Sequence, residues 1–393
     1  MNIVKLIFPI LTLPYLTRVL TIDLYGTITF LKSVLTYVAL VIDFGFLLSS
    51  TKKIVLAGQN NEKINKIISD TLYSKIILGF FSSIFYLVLL MYLPIMRVNI
   101  SFSILFLAAY LLNIFIFDFL FRGIEKIHLV AIPYIISKSI STFLTFIFVK
   151  SDLDLFNIAL LEFLGNFFAV FFSVYFVYKL NYKIIKTSIE DVMCEIKESF
   201  VYFISNFANS LLNAVTILLV GILLTPDKVA IWGICIQLLN AAKSMYNPLV
   251  NSIYPYMIRT KNLKLIKLIS LIVCVPMVLG TIVVIYYGSS IMVLLGGENY
   301  SKGGEILVIL LPAFIFSFYS MIFGWPVFGA IGKINETSST TIIVGVVQIV
   351  IIGFLIMFNN FNLITLAIAC SCSEMLLFII RYILLKKYRS LFI

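Results

Sequence analysis

Two polar stripes and a handful of acid and base residues stand out in an otherwise apolar chain. Tyr202, Asn206, Asn209, Asn213 and Thr216 step by three or four residues, and so do Gln237, Asn240, Ser244, Asn247 and Asn251, with Lys243 adjacent. That step keeps helical side chains on one face. Lys32 and Asp43 are eleven residues apart, which at about 100° per residue returns them to within about 20° of one face. Lys138 shares its segment with Ser141, Thr142 and Thr145, and Glu162 lies one turn from Asn166. Asn113 and Asp118 share another segment, as do Glu374 and Arg381. Such groups bind rather than break bonds. Amides hydrogen-bond hydroxyls, lysines attract phosphates, and carboxylates take up protons or sodium. No catalytic triad is visible, and the one histidine, His128, opens an apolar segment. Gly329-Ala330-Ile331-Gly332-Lys333 is too short for a phosphate-binding loop and runs into Ile334, so ATP hydrolysis by that route is excluded. Cys194, Cys235, Cys274, Cys370 and Cys372 have no metal-ligand spacing, so neither metal nor cofactor is expected.

The elements that must hold these residues are membrane helices. Hydrophobic residues make up 62% of the 393 and charged residues 12%, against about 45–50% and about 25% in soluble domains. About twelve spans are expected, near 3–20, 25–50, 72–94, 101–121, 128–149, 155–178, 199–224, 229–258, 265–287, 304–330, 338–358 and 363–385. Pro9, Pro14 and Arg18 interrupt the first and no small-residue cleavage site follows, so it reads as a span rather than a signal peptide. A charge near the bilayer centre costs about 2.5–3.5 kcal/mol or more, and is kept where it faces a wet cavity or pairs inside the bundle.

The net charge of +11 is scattered in short clusters between spans, which argues against a nucleic-acid partner. Of 29 basic residues, 21 fall on one side, five on the other and three (Lys32, Lys138, Lys243) inside spans. The excess marks the cytoplasmic side, with both termini on it. Thr51–Thr71 and Lys179–Glu198 alternate Lys, Glu and Asn with Ile and Val, as amphipathic surface helices do. The second lies halfway, dividing the chain into a six-helix lobe with its linking helix, 1–190, and a second six-helix lobe, 191–393. Leu20-Thr21-Ile22-Asp23 and Leu224-Thr225-Pro226-Asp227 form a weak internal echo of the two halves.

A single Asn inside a span reads as helix–helix glue. Two stripes of five on consecutive helices exceed what glue needs and favour a wet, sugar-compatible lumen. For Lys138 and Glu162, an internal ion pair and a direct role in ion coupling stand level. Asp118 and Arg381, near span ends, are expected to snorkel. Prolines at 133, 248, 255, 276, 312 and 326 lie inside spans and suit helices that break or bend.

Several segments resemble the bacterial O-antigen and polysaccharide-repeat-unit flippases, the Wzx family, which share a superfamily with MATE multidrug exporters and peptidoglycan-precursor flippases. They are Pro14-Tyr15-Leu16-Thr17-Arg18-Val19-Leu20 with Tyr25-Gly26 (Thr21 replacing the usual Gly), Asp43-Phe44-Gly45-Phe46 with Ser49 and Lys53, Phe121-Arg122-Gly123-Ile124-Glu125-Lys126, and Tyr254-Pro255. The resemblance implies an all-α integral membrane protein: two six-helix lobes forming a V around a polar central cavity lined by the first, second, seventh and eighth helices. It implies a flippase in the bacterial inner membrane that moves undecaprenyl-diphosphate-linked oligosaccharide from the cytoplasmic to the periplasmic leaflet. On that reading Arg18, Lys32, Lys138 and Lys243 contact diphosphate or acidic sugar, together with Asn206, Asn209, Asn213, Gln237, Asn240 and Asn247. Asp43, Glu162 and Glu374 are the candidates for coupling to H+ or Na+. Membrane lipids surround it, and a polysaccharide polymerase and a chain-length regulator are candidate partners. Two other readings stay open. A MATE-like exporter of small cations would want an acidic, aromatic lumen, which the lysines disfavour. A membrane polymerase would want longer outer loops.

Overall fold

A computed structural model describes residues 2–392, apart from the side chains of 2–7, 205, 206, 208–214 and 251. Among the described residues every regular element is helical. Nine helical stretches among the described residues are long and apolar enough to cross a membrane: Ile22–Ala57, Asn61–Tyr92, Ile100–Gly123, His128–Phe148, Asp152–Lys179, Leu263–Gly296, Leu311–Phe328, Ile334–Met357 and Leu363–Lys387. They coincide with nine of the expected spans. The other three expectations also fall on helices, at Asn2–Val19, Ile189–Leu223, and Pro226–Ser244 followed by Asn247–Thr260. The chain is a multi-pass membrane protein.

Two compact units divide after Phe207. The first holds α1 (Asn2–Val19), α2 (Ile22–Asp43), α3 (Phe46–Ala57), α4 (Asn61–Tyr92), α5 (Pro94–Arg97), α6 (Ile100–Leu111), α7 (Asp118–Gly123), α8 (His128–Phe148), α9 (Leu155–Lys179) and the start of α10 (Ile189–Leu223). The helices pack through narrow stripes. On α2, Ile28, Leu31, Leu35, Val38 and Ile42 step by three and four, and all are buried. Lipid-facing residues stay apolar outside: Phe80, Phe81 and Phe85 of α4 are exposed.

The expected second span is not one helix. It breaks at Asp43-Phe44-Gly45-Phe46, where Phe44 (φ 41°) and Gly45 (φ 80°) are left-handed. Gly45 is required there twice over. Its φ disfavours any side chain, and a Cβ would lie 2.6 Å from Tyr202 Cβ and 2.8 Å from the Phe203 amide. The break seats Phe44 on Phe203, ring centroids 4.4 Å apart and 10° from parallel.

The second unit continues α10 and adds α11 (Pro226–Ser244), α12 (Asn247–Thr260), α13 (Leu263–Gly296), α14 (Gly303–Ile309), α15 (Leu311–Ile322), α16 (Ile334–Met357) and α17 (Leu363–Lys387). The expected eighth span is thus two helices, parted at Met245–Tyr246 just before Pro248. The α15 span bends in a π turn over Phe323–Phe328, where Gly324 leaves helical geometry (ψ −108°) ahead of Pro326. Tyr246, Phe318, Ile322, Phe323 and Val327 form the unit's buried centre around that bend. At Gly304, helix backbones touch: a Cβ would lie 2.5 Å from Ser289 Cα.

Candidate functional site

In the first unit the polar residues converge on α8 and α9. Ser141 Oγ donates to the Leu161 carbonyl at 3.0 Å. Gly165 admits the close approach, since a Cβ there would already lie 3.3 Å from Ser141 Cβ. Asn166 Nδ2 donates to the Ala109 carbonyl of α6 at 2.8 Å. These residues act as glue, satisfying polar groups that lipid cannot. On the frame they build, Lys138 of α8 pairs with Glu162 of α9, side chains 18% and 24% exposed. Lys32 of α2 is exposed beside this pair, within electrostatic reach of both partners. Two lysines and one glutamate thus stand together on apolar helices, one more basic group than acidic. Such a group attracts an anion that can share the lysines.

Asp43 is not part of this cluster. Eleven residues of helix separate it from Lys32 by about 16 Å along the axis, and it ends α2 half-buried. Angular agreement along a helix does not make two residues neighbours. Arg18 is exposed near the end of α1. Its neighbour Tyr15 ties that helix down, donating to the Val149 carbonyl at 2.6 Å.

In the second unit Lys243 of α11 pairs with Glu374 of α17 at 2.6 Å, side chains 16% and 23% exposed. The pair lines a cavity of about 30 Å³ with Gln348, Cys370, Ser373 and Leu377. That is room for a water or two, not for a sugar. Gln348 Nε2 donates to Cys370 Sγ at 3.5 Å. Of the α11 stripe, Gln237 is half-buried with Nε2 lacking a partner among the described residues, Asn240 is half-buried and Asn247 is exposed at the start of α12. Asn206, Asn209, Asn213 and Asn251 lie outside the described side chains.

Arg381 departs from expectation. It does not snorkel but is buried at 5% exposure. Its guanidinium donates to the Thr337 carbonyl (3.0 Å), Thr340 Oγ1 (3.2 Å), Thr341 Oγ1 (2.8 Å) and the Ser320 carbonyl (2.5 Å). Ser320 lies one turn before Gly324, where the α15 helix loses its ladder. The arginine therefore caps a broken helix from α17.

A second polar network escaped the sequence reading. The two amphipathic connections dock on each other. Lys53 of α3 pairs with Glu195 and, at 2.7 Å, with Glu198 of α10. Ser50 Oγ donates to Glu195 at 3.0 Å, Ser49 and Ser199 share a 2.7 Å hydrogen bond, and Lys66 meets Asp191 at 2.9 Å. Thr187 donates to Asp70. This network holds the start of α10 against α3 and α4, within the compact unit that runs to Phe207. The signal available beforehand was two same-side connections with opposite charges at helical spacing. The Phe121–Lys126 motif packs beside it: a Cβ on Gly123 would lie 2.6 Å from Ile54 Cγ2, so the motif seats α7 on α3. Likewise Tyr254 packs on Gly329, where a Cβ would lie 2.9 Å from its ring.

Known proteins fall into line with this architecture. A putative O-antigen transporter of Escherichia coli (strain K12) is 25% identical over 353 residues, covering 88% of this chain and 85% of its own. A putative O-antigen transporter of Shigella dysenteriae is 27% identical over 316 residues, 79% of each chain. Among solved structures, an inward-facing multidrug resistance MATE family transporter of the MOP superfamily shares the fold at TM-score 0.64 and 14% identity, over 98% of this chain and 99% of that one. The lipid II flippase MurJ, in an inward closed conformation, does so at TM-score 0.56 and 15% identity, over 96% and 80%. The family profile described as "Polysaccharide biosynthesis protein" matches residues 1–261, and the chain belongs to that family.

Proposed function

We propose that this protein is a flippase that moves undecaprenyl-diphosphate-linked oligosaccharide, an O-antigen repeat unit, from the cytoplasmic to the periplasmic leaflet of the bacterial inner membrane. The observation that carries the reading is the cluster of Lys32 with the Lys138–Glu162 pair on apolar helices, in a family whose relatives are named as putative O-antigen transporters. A diphosphate is the kind of anion that group suits. Lysine meets phosphate as a point charge. Arg18 and Lys243 extend the cationic contacts, and the amides of Asn206, Asn209, Asn213, Gln237, Asn240 and Asn247 suit sugar hydroxyls. About twelve crossings, six to each half, with both termini cytoplasmic, complete the arrangement.

Each unit also carries one half-buried Lys–Glu pair, Lys138–Glu162 and Lys243–Glu374. A proton or sodium ion on the glutamate would free its lysine for the substrate's charge, and expulsion of that charge would return the lysine to its partner. Glu162 and Glu374, with Asp43, are the coupling groups in this scheme, and alternating access is the mode of transport. The test is complementation of a strain lacking the protein. Lys32→Ala and Arg18→Ala should leave protein levels intact and abolish surface polysaccharide. Near-normal polysaccharide in both would refute the assignment of the cationic contacts.

A further inference from the structure

One end of the second unit gathers cations that no described carboxylate pairs with. Arg259 and Lys261 close α12, and Lys264 and Lys267 open α13. Lys333 precedes α16, and Lys386, Lys387 and Arg389 follow at the end of α17. A shared core joins these ends: Met257, Ile266 and Phe328 pack with Leu263, Leu384 and Tyr388. All eight cations are exposed. Among the described residues none of them forms an ion pair, and the one carboxylate in these segments, Glu336, accepts the Tyr388 hydroxyl at 2.8 Å. In the first unit Lys53 and Lys66 are instead paired with Glu195, Glu198 and Asp191, while Lys52 and Lys63 form no ion pair among the described residues.

The patch is also apolar. Ile258, Leu268, Tyr382, Ile383 and Leu391 are exposed among the cations. Lys386 lies over the Tyr382 ring at 4.8 Å, and Lys333 over Tyr388 at 5.4 Å. Above it α13 is the barest of the candidate spans, with 11% of its apolar window buried against 28–56% in the others. Cations backed by aromatic rings, beside an uncovered apolar helix, match a phosphate headgroup with its acyl chains. A nucleic acid or a soluble acidic protein would leave the apolar part unmatched.

We propose that this end of the second unit binds acidic phospholipid headgroups of the adjoining leaflet, with their chains against the start of α13. The test uses the full chain purified in detergent and native mass spectrometry with added phosphatidylglycerol or phosphatidylcholine. Phosphatidylglycerol should be retained in clear preference. The variant K264Q/K267Q/K386Q/K387Q should lower that preference by about tenfold or more, while K52Q/K63Q in the first unit should leave it unchanged. For wild type, raising salt from about 0.05 to about 0.5 M should erode the preference as the Debye length shrinks, a readout that survives if the quadruple variant fails to fold. Equal retention of both lipids, an unaltered preference in a folded quadruple variant, or equal competition by free pyrophosphate would overturn the proposal. None of these outcomes touches the flippase reading, since no substrate is present.

Discussion

Replacing Glu162 by Gln should expose how the first unit manages its internal charge. The substitution keeps the shape but leaves Lys138 without its partner and sets it beside Lys32, a like charge. Breaking a wholly buried pair costs about 3–5 kcal/mol. Here the side chains keep 18% and 24% exposure, so a loss of about 2 kcal/mol is the reasoned figure. At about 2–4 °C per kcal/mol for a unit of this size, the unfolding midpoint should fall by about 4–8 °C. Lys138→Met should cost a similar amount because it strands Glu162. The double variant Lys138→Met/Glu162→Gln should recover at least half of the summed loss, a coupling of about 2 kcal/mol. Lys32→Met should partly rescue Glu162→Gln, because it removes the repelling cation. The assay is thermal unfolding of the purified variants in one detergent, followed by far-ultraviolet circular dichroism, because both tryptophans, Trp232 and Trp325, lie in the second unit. Additive losses, within about 0.5 kcal/mol, or no rescue by Lys32→Met, would refute the claim that the three residues form one electrostatic group.

Gly45→Ala should destabilise by about 2–4 kcal/mol, combining an unfavourable positive φ with overlap on Tyr202; a melt matching wild type would show that the break can relax. Arg381→Met should cost about 3 kcal/mol by uncapping α15, with Arg381→Lys losing about half as much; equal losses in denaturant unfolding would deny the guanidinium's special fit. The Lys53 ammonium beside Glu198 holds that carboxyl below its ordinary range, and Lys66 does the same for Asp191. Groups depressed in the folded state stabilise above their unfolded pKa and lose that contribution as pH falls through the folded value. Hydrogen exchange over residues 189–199, corrected for intrinsic rates, should therefore stay protected near neutrality and loosen only below about pH 4; protection independent of pH would contradict the docking.

Much of the fold was legible because long apolar runs leave the backbone one option in lipid. Nine expected spans fall on suitable helices for that reason. What escaped was set by contacts distant in sequence. The break at Phe44–Gly45 is written as D-F-G, but its cause, the approach of Tyr202 and Phe203, lies far along the chain. The Lys138–Glu162 pair is one of the two readings the sequence offers, but Lys243 finds Glu374 across a helix interface that local periodicity cannot specify. Arg381 looked like a snorkelling end residue because its acceptors, the Ser320 and Thr337 carbonyls, belong to other helices. Periodicity gave the faces; it could not give the partners. For the second span it puts Lys32 and Asp43 on one face, and the helix rise sets them about 16 Å apart along it.

The central claim is transport of a lipid-linked oligosaccharide, and the most direct measurement is the leaflet in which repeat units accumulate in a strain lacking this chain. Intact units trapped on the cytoplasmic side, with surface polysaccharide lost and restored by the wild-type gene, are the predicted result. Units that reach the outer leaflet and stay unpolymerised, or polysaccharide that is unchanged, would contradict it.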